Sequence, residues 1–194
     1  DIKNEIEETG LNFSEYIPKN LNVAVLFTDI VGFTKLSEKM EPNDVLKLLS
    51  EYQTIMVECI FEFNGTVDKF IGDAVMANFG TPKSYGNDAQ NAFDCAKKMK
   101  SMLHEWNKNR IDNRQKVIEH RIGIHYGECI VGNVGGEKRV EYTVLGDTVN
   151  VASRLCDLSK IFNNDLLISK ALYDQIEIVE EYEEFASHPI KGRK

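Results

Sequence analysis

The stretch that decides the fold is Val23-Ala24-Val25-Leu26-Phe27-Thr28-Asp29-Ile30-Val31-Gly32-Phe33-Thr34. Its first five residues are all apolar, a pattern typical of a central strand covered on both faces rather than of a half-exposed strand with alternating polarity. Asp29 and Gly32 follow and end the apolar run. The sequence therefore predicts a buried strand that carries a carboxylate at its end.

Helix and strand signals follow this strand in a characteristic order. Apolar residues at three- and four-residue spacing predict helices, and apolar runs bounded by turn residues predict strands. The predicted elements are a helix over residues 44–63, strands Thr66–Ile71 and Ala74–Phe79 folded about Gly72-Asp73, a helix over Asp88–Asn107, a loop over 108–118, strands Arg121–Tyr126, Glu128–Gly132 and Val140–Leu145, a helix from Asp147 to about Leu158, and strands Asp165–Ser169 and Glu177–Phe185. This order predicts an α+β fold, a ferredoxin-like βαββαβ core with extra C-terminal strands and helices.

Size and charge narrow the class of protein. The 194 residues suffice for one domain, and 42% hydrophobic with 28% charged residues is typical of a soluble globular protein. The net charge of −8 argues against a broad nucleic-acid or anionic-membrane surface. Residues 1–20 are polar and acidic, and we interpret them as a linker or coupling segment ahead of a folded domain over residues 21–194.

Three further features favour a cytoplasmic domain. The four cysteines are far apart and form no C-x-x-C pair, which is typical of reduced thiols rather than of zinc sites or disulfides. No signal peptide opens the sequence. No apolar run approaches the roughly 20 residues that cross a bilayer, although a longer protein containing this domain could still be attached to a membrane.

Two aspartates are candidate metal ligands. Asp29 ends the first strand, and Asp73 lies in the turn between the next two strands. If those strands are neighbours, both carboxylates project at one end of the sheet, where two hard divalent cations could bind them together with a polyphosphate. Gly32 and Phe33 follow Asp29, so that main-chain N–H groups can approach a phosphate. The alternative is that each aspartate only stabilises its turn.

Lys69 is a candidate ligand-binding residue. It alternates with Val67 and Ile71, so we expect it on their face of the strand. A lysine on an apolar face needs a polar partner or a ligand. The alternative is an edge-strand lysine that prevents aggregation.

Asn150 and Arg154 form a third candidate group. They are four residues apart and therefore share one face of the predicted helix. An amide and a guanidinium side by side can hold a ribose oxygen and a phosphate. The alternative is a solvated polar face of the helix.

Four blocks of the sequence resemble the class III nucleotidyl cyclases, in that family's order and spacing. They are Phe-Thr-Asp-Ile-Val-Gly-Phe-Thr (27–34), Gly-Thr-Val-Asp-Lys-Phe-Ile-Gly-Asp-Ala (65–74), Arg-Ile-Gly-Ile-His-Tyr-Gly (121–127) and Leu-Gly-Asp-Thr-Val-Asn-Val-Ala-Ser-Arg-Leu (145–155). The resemblance covers about residues 21–194. It implies the cyclase fold and a lyase that makes a cyclic nucleotide and pyrophosphate by in-line attack of the 3′-hydroxyl on the α-phosphate.

The resemblance also implies roles for individual residues. Asp29, Ile30 and Asp73 would bind two divalent cations, Mg²⁺ or Mn²⁺, with Ca²⁺ possible at one site. One ion would lower the pKa of the ribose 3′-hydroxyl, and the other would hold the triphosphate. Asn150 would orient the ribose, and Arg154 would stabilise charge on the α-phosphate. Lys191 would reach the terminal phosphates, a role that Lys138 or Arg139 could share.

Lys69 and Thr143 match the family's two base-selecting positions. In the family, Lys with Asp or Thr goes with adenine, which implies ATP as substrate and cyclic AMP as product. The ammonium of Lys69 only donates hydrogen bonds, which suits the acceptor N1 of adenine and not the N1–H of guanine. Thr143 resembles a subgroup that often responds to bicarbonate.

The resemblance implies partners as well. The metal aspartates and the base-selecting pair come from opposite subunits in this family. One chain carries every role, so we expect a homodimer with two composite sites, and an upstream regulatory domain in a longer protein.

Three alternatives differ in activity. The first is a guanylyl cyclase with atypical base contacts, against which Lys69 argues. The second, a diguanylate cyclase, would need a Gly-Gly-Asp/Glu-Glu-Phe turn, whereas the turn here is Ile71-Gly72-Asp73-Ala74. The third is an inactive module that only binds nucleotide or dimerises.

Overall fold

The computed structural model describes residues 18–136 and 139–177, except for the side chain of Arg139. The strands are β1 (Lys19–Ile30), β2 (Thr66–Ile71), β3 (Ala74–Phe79), β4 (His120–Gly136), β5 (Arg139–Leu145) and β6 (Leu166–Ile168). The helices are α1 (Phe33–Ser37), α2 (Pro42–Glu62), α3 (Asp88–Asp112), α4 (Asp147–Phe162) and α5 (Lys170–Tyr173).

The strands form one mixed sheet in the order β2-β3-β1-β4-β5, with β6 parallel to the first half of β4. The other pairs are antiparallel. Strands β1 to β4 with helices α2 and α3 give the predicted βαββαβ arrangement, and β5, α4, β6 and α5 are the additions after it. The predicted α+β fold is therefore confirmed.

Strand β1 lies at the centre of the sheet and is buried on both faces. Ala24 and Leu26 face helices α2 and α3, whereas Val23 and Val25 face helix α4. All four are 0% exposed. Continuous apolarity thus indicated a strand covered on both sides.

Most predicted boundaries agree with the structure, and several differ. Strand β1 begins at Lys19, so the last two residues of the predicted 1–20 linker belong to the folded domain, and α4 continues past Leu158 to Phe162. The two predicted strands over Arg121–Tyr126 and Glu128–Gly132 are one continuous strand, β4, because Gly127 pairs with β1 without interrupting it. Helix α3 continues through part of the predicted loop to Asp112. Helices α1 and α5 were not predicted, since five and four residues are too few to show a helical period. The predicted strand Glu177–Phe185 and residues 1–17 lie outside the described residues.

Gly123 in β4 allows helix α4 to approach the sheet closely. A Cβ placed on Gly123 would collide with the main-chain N of Cys156 and lie 2.5 Å from the carbonyl oxygen of Ala152. These are backbone atoms of α4 and cannot rotate away. The glycine therefore sets the position of the helix that carries Asn150 and Arg154.

We expect Gly123→Ala to lower the free energy of unfolding by at least about 2 kcal/mol, because the helix must move away from the sheet. Gly136→Ala is the matched control, since its added Cβ would meet nothing within 4 Å, and we expect it to change stability by less than about 0.5 kcal/mol. Urea unfolding of both variants measures the difference. Equal stabilities would contradict this account of the packing.

All four cysteines are free and buried, as expected of reduced thiols. No helix in the described ranges has the length and apolar character needed to cross a membrane.

Candidate functional site

The two candidate aspartates lie together at one end of the sheet. Strands β1 and β3 are neighbours, as the prediction required. The main-chain N–H of Ile30, next to Asp29, donates a 3.0 Å hydrogen bond to Oδ2 of Asp73. The turn of the β2–β3 hairpin is thereby attached to the end of β1, which holds the Asp73 carboxylate beside Asp29.

Arg121, which the sequence analysis did not single out, faces Asp29 from β4. The two residues are paired in the strand register, and Nη2 of Arg121 lies 3.0 Å from each carboxylate oxygen of Asp29. The Arg121 side chain is only 7% exposed, so the ion pair is shielded from water. An arginine at the start of an otherwise apolar strand was the signal in the sequence.

The Asp29 carboxyl lacks the stabilisation that its charge requires. Its pKa is raised to about 6, mainly because burial disfavours the charged form; Arg121 lowers the pKa, and the neighbouring charge of Asp73 raises it. Arg121 donates its hydrogen bond to Oδ2 of Asp29, so the buried Oδ1 has only the charge of Arg121 beside it and no hydrogen-bond partner among the described residues. A carboxylate in this state favours an additional cation.

The donors at this end of the sheet suit a hard divalent cation. Asp29 and Asp73 offer only oxygen, and the buried side chain of Ile30 leaves its main-chain carbonyl as the atom it could contribute. Within the described ranges, no cluster of three or more His, Cys, Asp or Glu side chains forms a metal site by itself. Such cations would therefore need further oxygens from a ligand, and a polyphosphate provides them.

Lys69 and Thr143 meet at a second cluster, although their strands β2 and β5 are the two ends of the sheet order. The sheet curls enough for both side chains to reach Asp68. The Thr143 hydroxyl donates to the carboxylate at 2.8 and 3.0 Å, and Nζ of Lys69 lies 3.4 Å from it. Nζ also lies 3.3 Å from Oε2 of Glu141. Asp68, which the sequence analysis missed, therefore connects the two predicted base-selecting residues.

The prediction that Lys69 shares a face with Val67 and Ile71 was right for Ile71 and wrong for Val67. A β-bulge lies between Val67 and Lys69, so that Val67 pairs with Ala77 and Lys69 with Met76. Adjacent residues of β3 point to opposite faces of the sheet. Lys69 therefore lies on the face opposite Val67, because the extra residue, Asp68, breaks the period of two.

Asn150 and Arg154 lie on α4, as predicted. Asn150 is exposed and Arg154 is partly buried, and neither makes a hydrogen bond or ion pair within residues 18–136 and 139–177. Buried Val151 and Ala152 hold the helix to the sheet beside them. The structure thus leaves both polar groups available to a ligand, without joining them to either cluster.

The structure describes only some of the residues that were predicted to contact phosphate. Gly32 adopts the left-handed conformation, φ 69°, which favours glycine, and helix α1 begins at Phe33 beside the aspartates. Lys191, Lys138 and the side chain of Arg139 lie outside the described residues.

Comparison with known proteins gives consistent matches. The family model described as "Adenylate and Guanylate cyclase catalytic domain" matches residues 15–193. Adenylate cyclase 1 of Rhizobium meliloti is 32% identical over 208 residues, which cover 98% of this chain and 31% of that protein. The chain thus spans about a third of the length of the curated relatives it matches.

Two solved structures have similar folds and different named activities. The adenylyl cyclase CyaB from P. aeruginosa is 35% identical, with a TM-score of 0.77 over 91% of this chain and 90% of that one. The guanylyl cyclase Cya2 is 31% identical, with a TM-score of 0.83 over 91% of this chain and 88% of that one. Overall similarity in sequence and fold therefore does not distinguish an adenylyl cyclase from a guanylyl cyclase.

Proposed function

Because this chain belongs to the adenylate and guanylate cyclase catalytic domain family, we propose that it converts ATP to 3′,5′-cyclic AMP and pyrophosphate at composite sites of a homodimer. The observation that carries the choice of ATP is the juxtaposition of Lys69 and Thr143 on Asp68. A lysine ammonium can donate to N1 of adenine, whereas guanine presents a donor there. A hydroxyl oxygen can accept from the 6-amino group of adenine.

The aspartates and helix α4 would perform the chemistry. Asp29 and Asp73, with the Ile30 carbonyl, would hold two divalent cations, Mg²⁺ or Mn²⁺, with Ca²⁺ possible at one site. When bound, these cations supply Lewis acidity to the ribose 3′-hydroxyl and neutralise charge on the triphosphate. Asn150 would orient the ribose, and Arg154 would stabilise the charge that develops on the α-phosphate. Main-chain N–H groups at Gly32 and Phe33 would contact phosphate oxygens, and Lys191 would reach the terminal phosphates.

The proposed reaction displaces pyrophosphate in line. The 3′-oxygen forms a bond to the α-phosphorus as the bond to the pyrophosphate oxygen breaks, and the hydroxyl proton leaves to water or to the substrate. The main contributions of the chain are positioning and electrostatic stabilisation. Asp29 is held before the substrate arrives by its ion pair with Arg121, and Asp73 by the hydrogen bond from the Ile30 N–H.

The proposed partners follow from the family. We place the aspartate pair of one subunit opposite the Lys69–Thr143 pair of the other, which gives a homodimer two equivalent sites. Since the curated relatives are about three times longer, we also propose that the segment ahead of β1 couples the domain to an upstream regulatory part in the cytoplasm.

Parallel assays with ATP and GTP, each with Mg²⁺ or Mn²⁺, test the proposal. We expect cyclic AMP, with kcat/KM at least about a hundredfold higher for ATP, because mispaired donors in the base pocket discriminate strongly. Cyclic GMP as the main product would favour the guanylyl cyclase alternative. No product from a demonstrably dimeric sample would favour an inactive nucleotide-binding module.

A further inference from the structure

We propose that Asp68 is the positioning residue that makes the Thr143 hydroxyl an acceptor and thereby sets the preference for adenine. The inference rests on the proposed function, and it concerns a residue that does not itself need to contact the base. Its basis is the set of donors that converge on one buried carboxylate between β2 and β5.

The Asp68 carboxylate is buried and accepts several hydrogen bonds. Its side chain is 1% exposed. It accepts from the Thr143 hydroxyl at 2.8 and 3.0 Å and from the main-chain N–H of Val144 at 3.2 Å. The Lys69 ammonium lies 3.4 Å away and balances its charge. An ionised carboxylate accepts hydrogen bonds and donates none, so every neighbour must be the donor.

This arrangement removes the ambiguity of a hydroxyl. A threonine side chain has one hydrogen to donate and two lone pairs to accept. With its hydrogen committed to Asp68, Thr143 can offer a ligand only its lone pairs. Those suit the 6-amino group of adenine, whereas the O6 of guanine would place acceptor against acceptor.

The same carboxylate also directs Lys69. The Lys69 ammonium donates one hydrogen bond to Glu141 at 3.3 Å, and the Asp68 carboxylate holds it as an ion pair at 3.4 Å. An ammonium has three N–H donors, so this arrangement leaves a donor for an acceptor such as N1 of adenine. The bulge at Asp68 is what places this carboxylate and Lys69 together on the side of the sheet that meets β5.

The test is a double-mutant cycle read out as base selectivity. Asp68→Asn keeps the size of the side chain but can donate through its amide, which frees the Thr143 hydrogen for guanine O6. We expect the ratio of kcat/KM for ATP to that for GTP to fall about tenfold or more. In a Thr143→Val background, the same substitution should change the ratio clearly less, by about threefold at most, because Asp68 then has no hydroxyl to direct and acts only on Lys69.

The outcomes separate this inference from the proposed function. Wild-type protein that makes no cyclic AMP would refute the proposed function. Wild-type protein that makes it, with a folded Asp68→Asn variant of unchanged selectivity, would overturn the inference alone. An equal fall in both backgrounds would also overturn it, since a merely structural effect does not depend on the hydroxyl.

If the Asp68→Asn variant does not fold, a second pair of variants still tests the inference. Thr143→Ser retains a hydroxyl that can donate to Asp68, and we expect it to keep the preference for ATP. Thr143→Val should lower the preference about tenfold or more, leaving only the discrimination that Lys69 provides. Equal selectivity in the two variants would overturn the inference.

Discussion

Asp73→Asn is expected to abolish cyclic AMP formation while leaving the fold intact. The amide oxygen of asparagine can still accept the hydrogen bond from the Ile30 N–H, which is 3.0 Å long in the wild-type structure. The hairpin turn therefore stays attached to β1. What is lost is a negative charge beside Asp29, and with it one of the two carboxylates proposed to hold the cations. We expect kcat/KM for ATP to fall by about a thousandfold or more, because charge stabilisation of the transition state depends on those cations.

Asp112→Asn is the matched control for that substitution. Asp112 is exposed at the end of α3, far along the chain from either cluster. Thermal unfolding without metal should be nearly unchanged in both variants, whereas only Asp73→Asn should lose activity. Wild-type activity in a folded Asp73→Asn variant would contradict the proposal that Asp73 binds the metal ions.

The parts of the fold that follow local rules could be predicted from the sequence. The hairpin Thr66–Ile71 and Ala74–Phe79 has the predicted bounds, because Gly72 at φ 63° provides the turn conformation that the pattern indicated. Central β1 was recognisable because every residue of its core is apolar. The meeting of Asp29 and Asp73 followed from placing both at the ends of neighbouring strands.

The parts that depend on three-dimensional curvature could not be predicted. Nothing in the spacing shows that β2 and β5, at opposite ends of the sheet order, curl until Asp68 reaches Thr143. The bulge at Asp68 is equally invisible, since strict alternation was the only available rule for assigning the face of Lys69. A carboxylate directly before Lys69 inside a strand was the one available signal, because aspartate is depleted in strands.

Arg121 illustrates the same limit for electrostatics. The sequence places it at the start of an apolar strand, yet its partner Asp29 lies 92 residues away and is identified only by the register of β1 with β4. The raised pKa of Asp29 arises from burial, which requires the packed structure. Local patterns therefore identified Asp29 as a candidate metal ligand, whereas its ion pair with Arg121 and its raised pKa are evident only from the tertiary structure.

The second large effect concerns the composite site, which we propose is formed by residues of both subunits of a homodimer. Each proposed site has a metal half, the aspartate pair of one subunit, and a base half, the Lys69–Thr143 pair of the other. Asp73→Asn should inactivate the metal half, and Lys69→Met should inactivate the base half by removing the donor for adenine N1. In a heterodimer of the two variants, one site carries both substitutions and the other carries neither. Random assortment in an equimolar mixture makes half of the dimers heterodimers, so about a quarter of the wild-type activity should return.

An equimolar mixture of Asp73→Asn with Asp29→Asn is the control, because both substitutions lie in the metal half. Neither site of that heterodimer is intact, so no activity should return.

The most direct measurement is therefore cyclic AMP formation from ATP by each variant alone and by the two mixtures, with subunit exchange verified by analytical ultracentrifugation of labelled chains. We expect recovery to about a quarter of the wild-type rate only when Asp73→Asn is mixed with Lys69→Met. Verified heterodimers of those two variants that form no cyclic AMP would contradict the proposed composite site.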